Sequence, residues 1–139
     1  DVLLHLQKQD AHITMDHVKG LLLNALIGGT DTSAATLEYA MVELVRNPNA
    51  LSRAQEEVRR TVGDKGKVEE GDIQRLSYLK CVVMETLRLR PPGPLLVQRE
   101  TMDYISINGY DVPPKTRVIV NAWAIGREKA SWEKPEEFI

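Results

Sequence analysis

The chain has 139 residues and a formal net charge of −2, with 18 lysines and arginines against 20 aspartates and glutamates. This balance leaves no basic excess and argues against a nucleic-acid partner. Its 42% hydrophobic and 27% charged residues are typical of a globular chain and exclude a disordered one. The only cysteine, Cys81, excludes an internal disulfide framework and fits a reducing compartment.

The apolar runs are too short for a membrane span, since the best stretch, residues 18–29, is broken by Lys19 and Asn24. The chain starts without an initiator methionine and stops in the middle of an apparent motif, at residues 135–139. We therefore expect a single partial domain over residues 1–139. Its two regions are predicted to be a helical part, 1–90, and a part with a proline corner and a small sheet, 91–139.

The longest predicted helix starts after Thr14, a favourable N-cap residue, and runs to about Arg46, where Asn47-Pro48 stops it. About 33 helical residues span roughly 50 Å, which exceeds what a compact domain with a radius of gyration near 14 Å covers. The sequence pattern of residues 1–10 predicts the end of a preceding helix. Asn47 and Pro48 also suit the N-cap and first position of the next helix.

The remaining helices are predicted at about 48–62, near 71–75 and at about 77–89. The proline-rich stretch 91–94, which we call the proline corner, ends helical structure. Strands are predicted at 95–97, at 105–107 with a turn at Asn108-Gly109, and at 116–120. The fold class predicted from this order is mainly α with a small antiparallel β-sheet.

The middle of the long helix contains Gly28-Gly29-Thr30-Asp31-Thr32-Ser33. Two adjacent glycines there cost about 1 kcal/mol each relative to alanine, and the polar residues that come after them compete for backbone hydrogen bonds. Small residues share one face at three- and four-residue spacing: Ala25, Gly28, Gly29, Thr32 and Thr36. That face suits a broad planar ligand, or else a close helix crossing with a kink.

Two further features lie near the proline corner. Glu85 and Arg88 have the spacing of a helical ion pair. After the corner, Leu95, Leu96 and Val97 can face a cavity with Arg99 at its edge. An exposed ion pair and a surface arginine are the ordinary interpretations of these residues.

In this order, these motifs resemble the cytochrome P-450 family of haem-thiolate monooxygenases. Residues 28–33 match its A/G-G-x-D/E-T-T/S signature, and Glu85 with Arg88 match its E-x-x-R. Segments 87–92 and 121–127 are similar to the plant microsomal branch, and 135–138 to the lead-in to the P-E-R-F motif. The resemblance covers essentially all 139 residues, and it implies a fragment of the cytochrome P-450 fold.

The resemblance implies roles for individual residues. Asp31 and Thr32 would be catalytic and deliver protons to iron-bound dioxygen, with Thr32 holding a water that Asp31 connects to solvent. Gly28 and Gly29 would leave room for the oxygen and for a local bulge in the helix. Arg99 would bind a haem propionate. Glu85 and Arg88 would form a structural ion pair under the haem-ligand loop. The implied substrate contacts are Asn24, Ala25, Leu95, Leu96 and Val97.

The function implied is a haem-dependent monooxygenase that inserts one oxygen atom from O2 into a small apolar plant metabolite. The implied cofactor is haem b, iron protoporphyrin IX, and NADPH acts indirectly through the partner NADPH–cytochrome reductase. The implied location is the cytosolic face of the endoplasmic reticulum membrane, reached through an N-terminal anchor that these residues lack.

The family's cysteine loop, F-x-x-G-x-R-x-C-x-G, is absent from the sequence. Cys81 lies inside a predicted helix without flanking glycines, so we expect a buried packing residue and no metal ligand in this chain. We therefore expect an active parent protein and an inactive fragment. The alternatives are a truncated non-catalytic chain, a helical binding module, and an unrelated all-helical interaction protein.

Overall fold

In the computed structural model, residues 2–9 and 12–139 are described. The helices are α1 (Val2–Gln9), α2 (Met15–Arg46), α3 (Pro48–Val62), α4 (Ser77–Leu89) and α5 (Ala122–Ile125), with 3₁₀ turns at Gly63–Lys65 and Glu70–Arg75. The strands are β1 (Arg99–Glu100), β2 (Ile105–Ile107), β3 (Tyr110–Val112) and β4 (Arg117–Val118). The predicted fold class, mainly α with small antiparallel β-structure, is confirmed. Positions 1 and 10 of the first predicted helix lie outside the described residues.

Contacts divide the chain into two compact units, Asp1–Ala35 and Thr36–Ile139. The first unit contains α1 and residues 15–35 of α2, and the second contains every later element. The predicted organisation as one partial domain with a regional boundary at residue 90 stays a prediction.

The start of α2 confirms Thr14 as its N-cap. The backbone N–H of His17 donates to Thr14 Oγ1 at 3.3 Å, and the Thr14 N–H donates to His17 Nδ1 at 3.2 Å. This reciprocal pair is a capping box in which histidine replaces the usual glutamate, and it satisfies a donor that the first turn leaves unpaired.

The core of the second unit lies where the end of α2 meets α3 and α4. Leu44, Ala54 and Val82 are buried together, one from each helix. The partly buried residues packed around them are Ala50, Leu51, Tyr78 and Phe138. Each helix packs a narrow apolar stripe against this cluster, as the spacing of its apolar residues predicts.

A buried carboxylate, Glu57 of α3, caps the N-terminus of α4. It accepts hydrogen bonds from the Ser77 hydroxyl at 3.1 Å, the Tyr78 N–H at 2.8 Å and the Leu79 N–H at 2.9 Å. The Tyr78 bond lowers the pKa of Glu57 most; burial opposes this, while Leu79, Ser77 and the charge of Arg60 lower it further. Glu57 is therefore ionised in the folded protein at neutral pH and complements the positive end of α4.

We expect Glu57→Gln in the full-length protein to lower the melting temperature at neutral pH. Because the pKa of Glu57 is lower in the folded state, its stabilisation is present above the unfolded glutamate pKa near 4.3 and is lost below it. The variant should therefore lose less stability than the wild type on acidification. The matched control is Glu56→Gln, since exposed Glu56 has one contact, from Ser52 at 3.4 Å. Equal melting profiles for both variants would contradict the capping role.

Asn47 stands at the N-cap of α3, and Pro48 is the first helical residue as predicted. Asn47 makes no side-chain capping hydrogen bond there, however. Its amide Nδ2 donates instead to the Glu43 carbonyl at 2.8 Å. Asn47 also comes after the last turn of α2, whose carbonyls lack helical partners, and its side chain serves one of those.

The predicted strand at 95–97 is wrong. The Leu96 N–H donates to the Gly93 carbonyl at 3.0 Å, and Leu96 has a φ of 52°, so the chain turns here. The first strand begins only at Arg99, which lies opposite Val118 in an antiparallel pair. The predicted strand at 116–120 is correspondingly limited to Arg117–Val118.

The hairpin predicted around Asn108-Gly109 is confirmed. β2 pairs with β3 in the register Ile105↔Val112. Asn108 and Gly109 have φ values of 49° and 83°, as the two-residue turn of a twisted hairpin requires. The strands form two separate two-stranded sheets rather than a single one.

The expectation of a buried Cys81 is also wrong, since its side chain is exposed. The residues that α4 buries are Val82, Thr86 and Leu89, which recur at four- and three-residue spacing. Cys81 lies outside that stripe. The apolar residues of α4 are too numerous for one stripe, and composition alone did not show which of them face the core.

Candidate functional site

The predicted catalytic pair, Asp31 and Thr32, lies on an exposed part of α2 in the first unit. The Thr32 hydroxyl donates to the Gly28 carbonyl, four residues earlier, at 2.6 Å. The α-helix is unbroken through this segment, so the predicted bulge at the two glycines is absent. Back-bonding of this kind usually weakens or bends a helix slightly, but here α2 continues through it.

The small-residue face of α2 is open. Every residue from 21 to 34 is exposed, and a Cβ built at Gly28 or Gly29 meets no described atom within 4 Å. The predicted contacts Asn24 and Ala25 lie one turn before the glycines on the same helix. At Gly28 and Gly29 the face is therefore an open surface in this structure.

The second predicted group lies in the other unit, after the proline corner. Leu95, Leu96 and Val97 are exposed apolar residues; Val97 is 82% exposed. Arg99 is exposed in β1, and no ion-pair partner for it is found in the described part of the chain. This segment therefore combines an apolar surface with an available cation.

The structure shows the ion pair between Glu85 and Arg88. Arg88 Nε donates to Glu85 Oε2 and Nη2 to Oε1, each at 2.7 Å. The Arg88 side chain is 7% exposed and that of Glu85 14%. A bidentate pair of this burial differs from the exposed helical pairs that contribute little to stability.

Arg88 also holds the C-terminal segment of the chain. Its remaining donors reach the carbonyls of Gly126 at 2.7 Å, Pro135 at 2.7 Å and Glu137 at 2.8 Å. All five guanidinium N–H groups therefore have acceptors. The backbone N–H of Ile139 completes the network by donating to Glu85 Oε1 at 2.9 Å. These carbonyl contacts could not be predicted from spacing, because the segments are distant in sequence.

The charges of this pair are mutually stabilised. Burial by itself raises the pKa of Glu85, but the Arg88 hydrogen bonds, the Ile139 N–H and the Arg88 charge together lower it. The hydrogen bonds to Glu85 raise the pKa of Arg88 in turn, against the effect of burial. Both groups are ionised. We infer that the pair holds residues 126–139 against α4.

A second buried arginine, Arg127, was missed by sequence reasoning. Its side chain is 7% exposed. Nη2 donates to the Leu89 carbonyl at 2.6 Å, and the guanidinium lies 4.3 Å from the centre of the Trp123 ring. A further bond joins Nε to Glu136 at 3.2 Å. An arginine next to a glycine in an apolar segment was the only available signal.

We expect Gly126→Ala to destabilise the full-length protein by about 1–3 kcal/mol. Gly126 is buried, and a Cβ there would lie 2.5 Å from the Arg88 carbonyl oxygen, a backbone atom that cannot rotate away. Urea unfolding would measure the loss. The matched control is Gly71→Ala, where a Cβ meets no atom within 4 Å. Equal stability of the two variants would contradict the close packing at Gly126.

The comparisons with known proteins agree with this architecture. The family model for cytochrome P-450 matches residues 1–139. The chain is 54% identical to cytochrome P-450 71A1 of Persea americana over 142 aligned residues, covering 100% of this chain and 28% of that protein. It is 54% identical to a 4-hydroxyphenylacetaldehyde oxime monooxygenase of Sorghum bicolor, covering 99% of this chain and 27% of that protein. A solved structure of a zebra fish cytochrome P-450 with progesterone matches with a TM-score of 0.85 and 35% identity, covering 91% of this chain and 30% of that one.

The chain belongs to the cytochrome P-450 family. Its relatives include plant members with 54% sequence identity to it. The resemblance to the plant branch is confirmed, and the alternative of an unrelated all-helical interaction protein is wrong. The chain spans 28% of the length of the curated relative from Persea americana.

Two structural features bear on the expected membrane and metal partners. None of the helices in residues 2–9 and 12–139 has the length and apolar character needed to cross a membrane. Within the same residues, no three His, Cys, Asp or Glu side chains cluster as metal ligands.

Proposed function

We propose that the protein containing this chain is a haem-dependent monooxygenase that inserts one oxygen atom from O2 into a small apolar plant metabolite. The observation that carries the proposal is the open face of α2, where Asp31 and Thr32 come after two glycines with free space beside them. Family membership and the Sorghum bicolor relative named as a monooxygenase support it. A relative from Tanacetum parthenium is named costunolide synthase and is 52% identical.

Two groups of residues, one in each compact unit, have chemistry that suits haem b. The glycines of α2 leave an open surface for a planar group, and Arg99 offers an available cation to a propionate, a charge-assisted contact. A thiolate for the haem iron would come from a cysteine other than Cys81, which lies exposed within α4. When bound, haem would supply the oxygen activation that amino-acid side chains lack.

Asp31 and Thr32 would manage protons at this face. The Thr32 hydroxyl donates to the Gly28 carbonyl, and a hydroxyl that donates still has acceptor capacity on its oxygen. Thr32 would therefore orient a water molecule through its oxygen. Asp31 is exposed at the preceding position of the helix, so its carboxylate can exchange protons with bulk water. Proton delivery by a placed group contributes roughly a hundred- to ten-thousand-fold in rate.

The exposed apolar segment Leu95–Val97 and the residues Asn24 and Ala25 would contact the substrate. Electrons would come from NADPH through NADPH–cytochrome reductase. We further propose that the protein lies on the cytosolic face of the endoplasmic reticulum membrane, anchored by a segment outside these 139 residues.

The test uses the full-length protein with a plant NADPH–cytochrome reductase and 1-phenylimidazole as a haem probe. We expect stoichiometric haem, an optical shift with the azole, and substrate products that carry one labelled oxygen when the reaction is run under ¹⁸O2. A protein that binds no haem, or a product whose oxygen comes from water, would overturn the proposal.

A further inference from the structure

The proline corner, residues 91–94, is held at both ends by the short segment 122–127. At its start, Arg127 Nη2 donates to the carbonyl of Leu89, the last residue of α4, at 2.6 Å. At its end, the Trp123 N–H donates to the Pro94 carbonyl at 3.1 Å. The two contacts come from residues one helical turn apart, so one element fixes where the corner begins and where it ends.

The Arg127 side chain ties the two contacts together. Its guanidinium lies over the Trp123 ring and also reaches the Trp123 carbonyl at 3.4 Å. Trp123 also borders a cavity of about 410 Å³ together with Pro91, Pro92 and Pro94. A planar group with several donors can serve a helix-end carbonyl and stack on a ring at once, which a lysine ammonium cannot do.

These contacts, which brace the corner, also affect the segment that comes after it. Leu95 and Leu96 turn directly after Pro94, and Arg99 opens β1 three residues after Leu96. The segment 95–98 belongs to no strand or helix. Its course therefore depends on two fixed points, the corner behind it and the β1–β4 pair ahead of it.

We propose that Arg127 is a positioning residue that, through Leu89 and Trp123, sets the course of the segment Leu95–Val97, and hence the shape of the cavity in which the proposed function places the substrate. The inference rests on the proposed function for its cavity. The bracing itself involves only residues 88–136 and is measurable without turnover.

The test compares Arg127→Gln and Arg127→Lys with wild type in the full-length, haem-loaded protein. Glu136→Gln is the matched control, because Glu136 is 71% exposed and its bond to Arg127 is separate from the Leu89 contact. Hydrogen exchange of the peptide 93–98 reports the bracing. The Kd of 1-phenylimidazole reports the cavity.

We expect both Arg127 variants to exchange this peptide faster and to shift the azole Kd, each by about threefold to tenfold, the effect of losing one or two hydrogen bonds. Exchange in α3 should stay at the wild-type rate, since general destabilisation would accelerate it as well. Glu136→Gln should match wild type in both measurements.

Unchanged exchange of 93–98 in both variants would overturn the inference. So would faster exchange with an unchanged azole Kd, because the cavity would then be independent of the corner. If the wild-type protein binds no haem, the proposed function fails, and the exchange measurement still decides whether Arg127 braces the corner.

Discussion

Arg88→Ala should cost the full-length protein about 3–5 kcal/mol of unfolding free energy, the usual effect of removing one partner of a buried ion pair. The variant leaves the Glu85 carboxylate with the Ile139 N–H as its remaining hydrogen bond. It also leaves the carbonyls of Gly126, Pro135 and Glu137 without the donor that joins them to α4. We expect the segment after Gly126 to detach first, and haem content to fall with it.

Urea unfolding and haem content per chain measure this effect. Lys80→Ala is the matched control, since it removes another cation from α4 at an exposed position, and surface changes of this kind stay within about 0.5 kcal/mol. A double-mutant cycle with Glu85→Ala adds a second check, because partners in one network are not additive. Additive losses at Glu85 and Arg88 would show that the pair does not act as a unit.

The helices were predictable because their signals are local. Thr14 and Pro48 mark helix starts through their own preferences for those positions, and the structure places α2, α3 and α4 within a residue of the predicted bounds. The strand at 95–97 failed for the opposite reason. Three apolar residues fit a strand or a turn equally, and the Gly93–Leu96 hydrogen bond that decides between them depends on the corner before it.

The candidate site was predictable only as motifs. Glu85 and Arg88 are neighbours on a helix, so their pairing agrees with their spacing. The three carbonyls that Arg88 binds belong to residues 38 to 49 positions away, and nothing in a single sequence pairs a side chain with a distant backbone oxygen. The capping role of Glu57 was not predicted for a similar reason. Its helix contains several charged residues, and only burial in the folded structure distinguishes Glu57 as the carboxylate that caps α4.

Thr32→Ala should uncouple electron consumption from product formation in the full-length enzyme. Without the hydroxyl, the water that the proposed function places at this face would lose its orienting partner, and proton delivery would lose a group whose usual contribution is about a hundredfold or more in rate. NADPH should then be consumed with peroxide released in place of product. The helix itself should not weaken, because alanine has the higher helix propensity and the lost bond to Gly28 runs within the same turn.

Two further variants distinguish an effect on coupling from an effect on stability. Thr32→Ser keeps a hydroxyl and should restore coupling, and Ser33→Ala, which removes the neighbouring exposed hydroxyl, should leave it unchanged. Product and peroxide per NADPH are measured beside the melting temperature of each variant. If Thr32→Ala stays tightly coupled with a normal melting temperature, the hydroxyl has no part in proton delivery, and the role must pass to Asp31 or to a residue outside α2. If coupling falls only in variants that also melt early, Thr32 acts through the stability of the fold rather than through proton delivery.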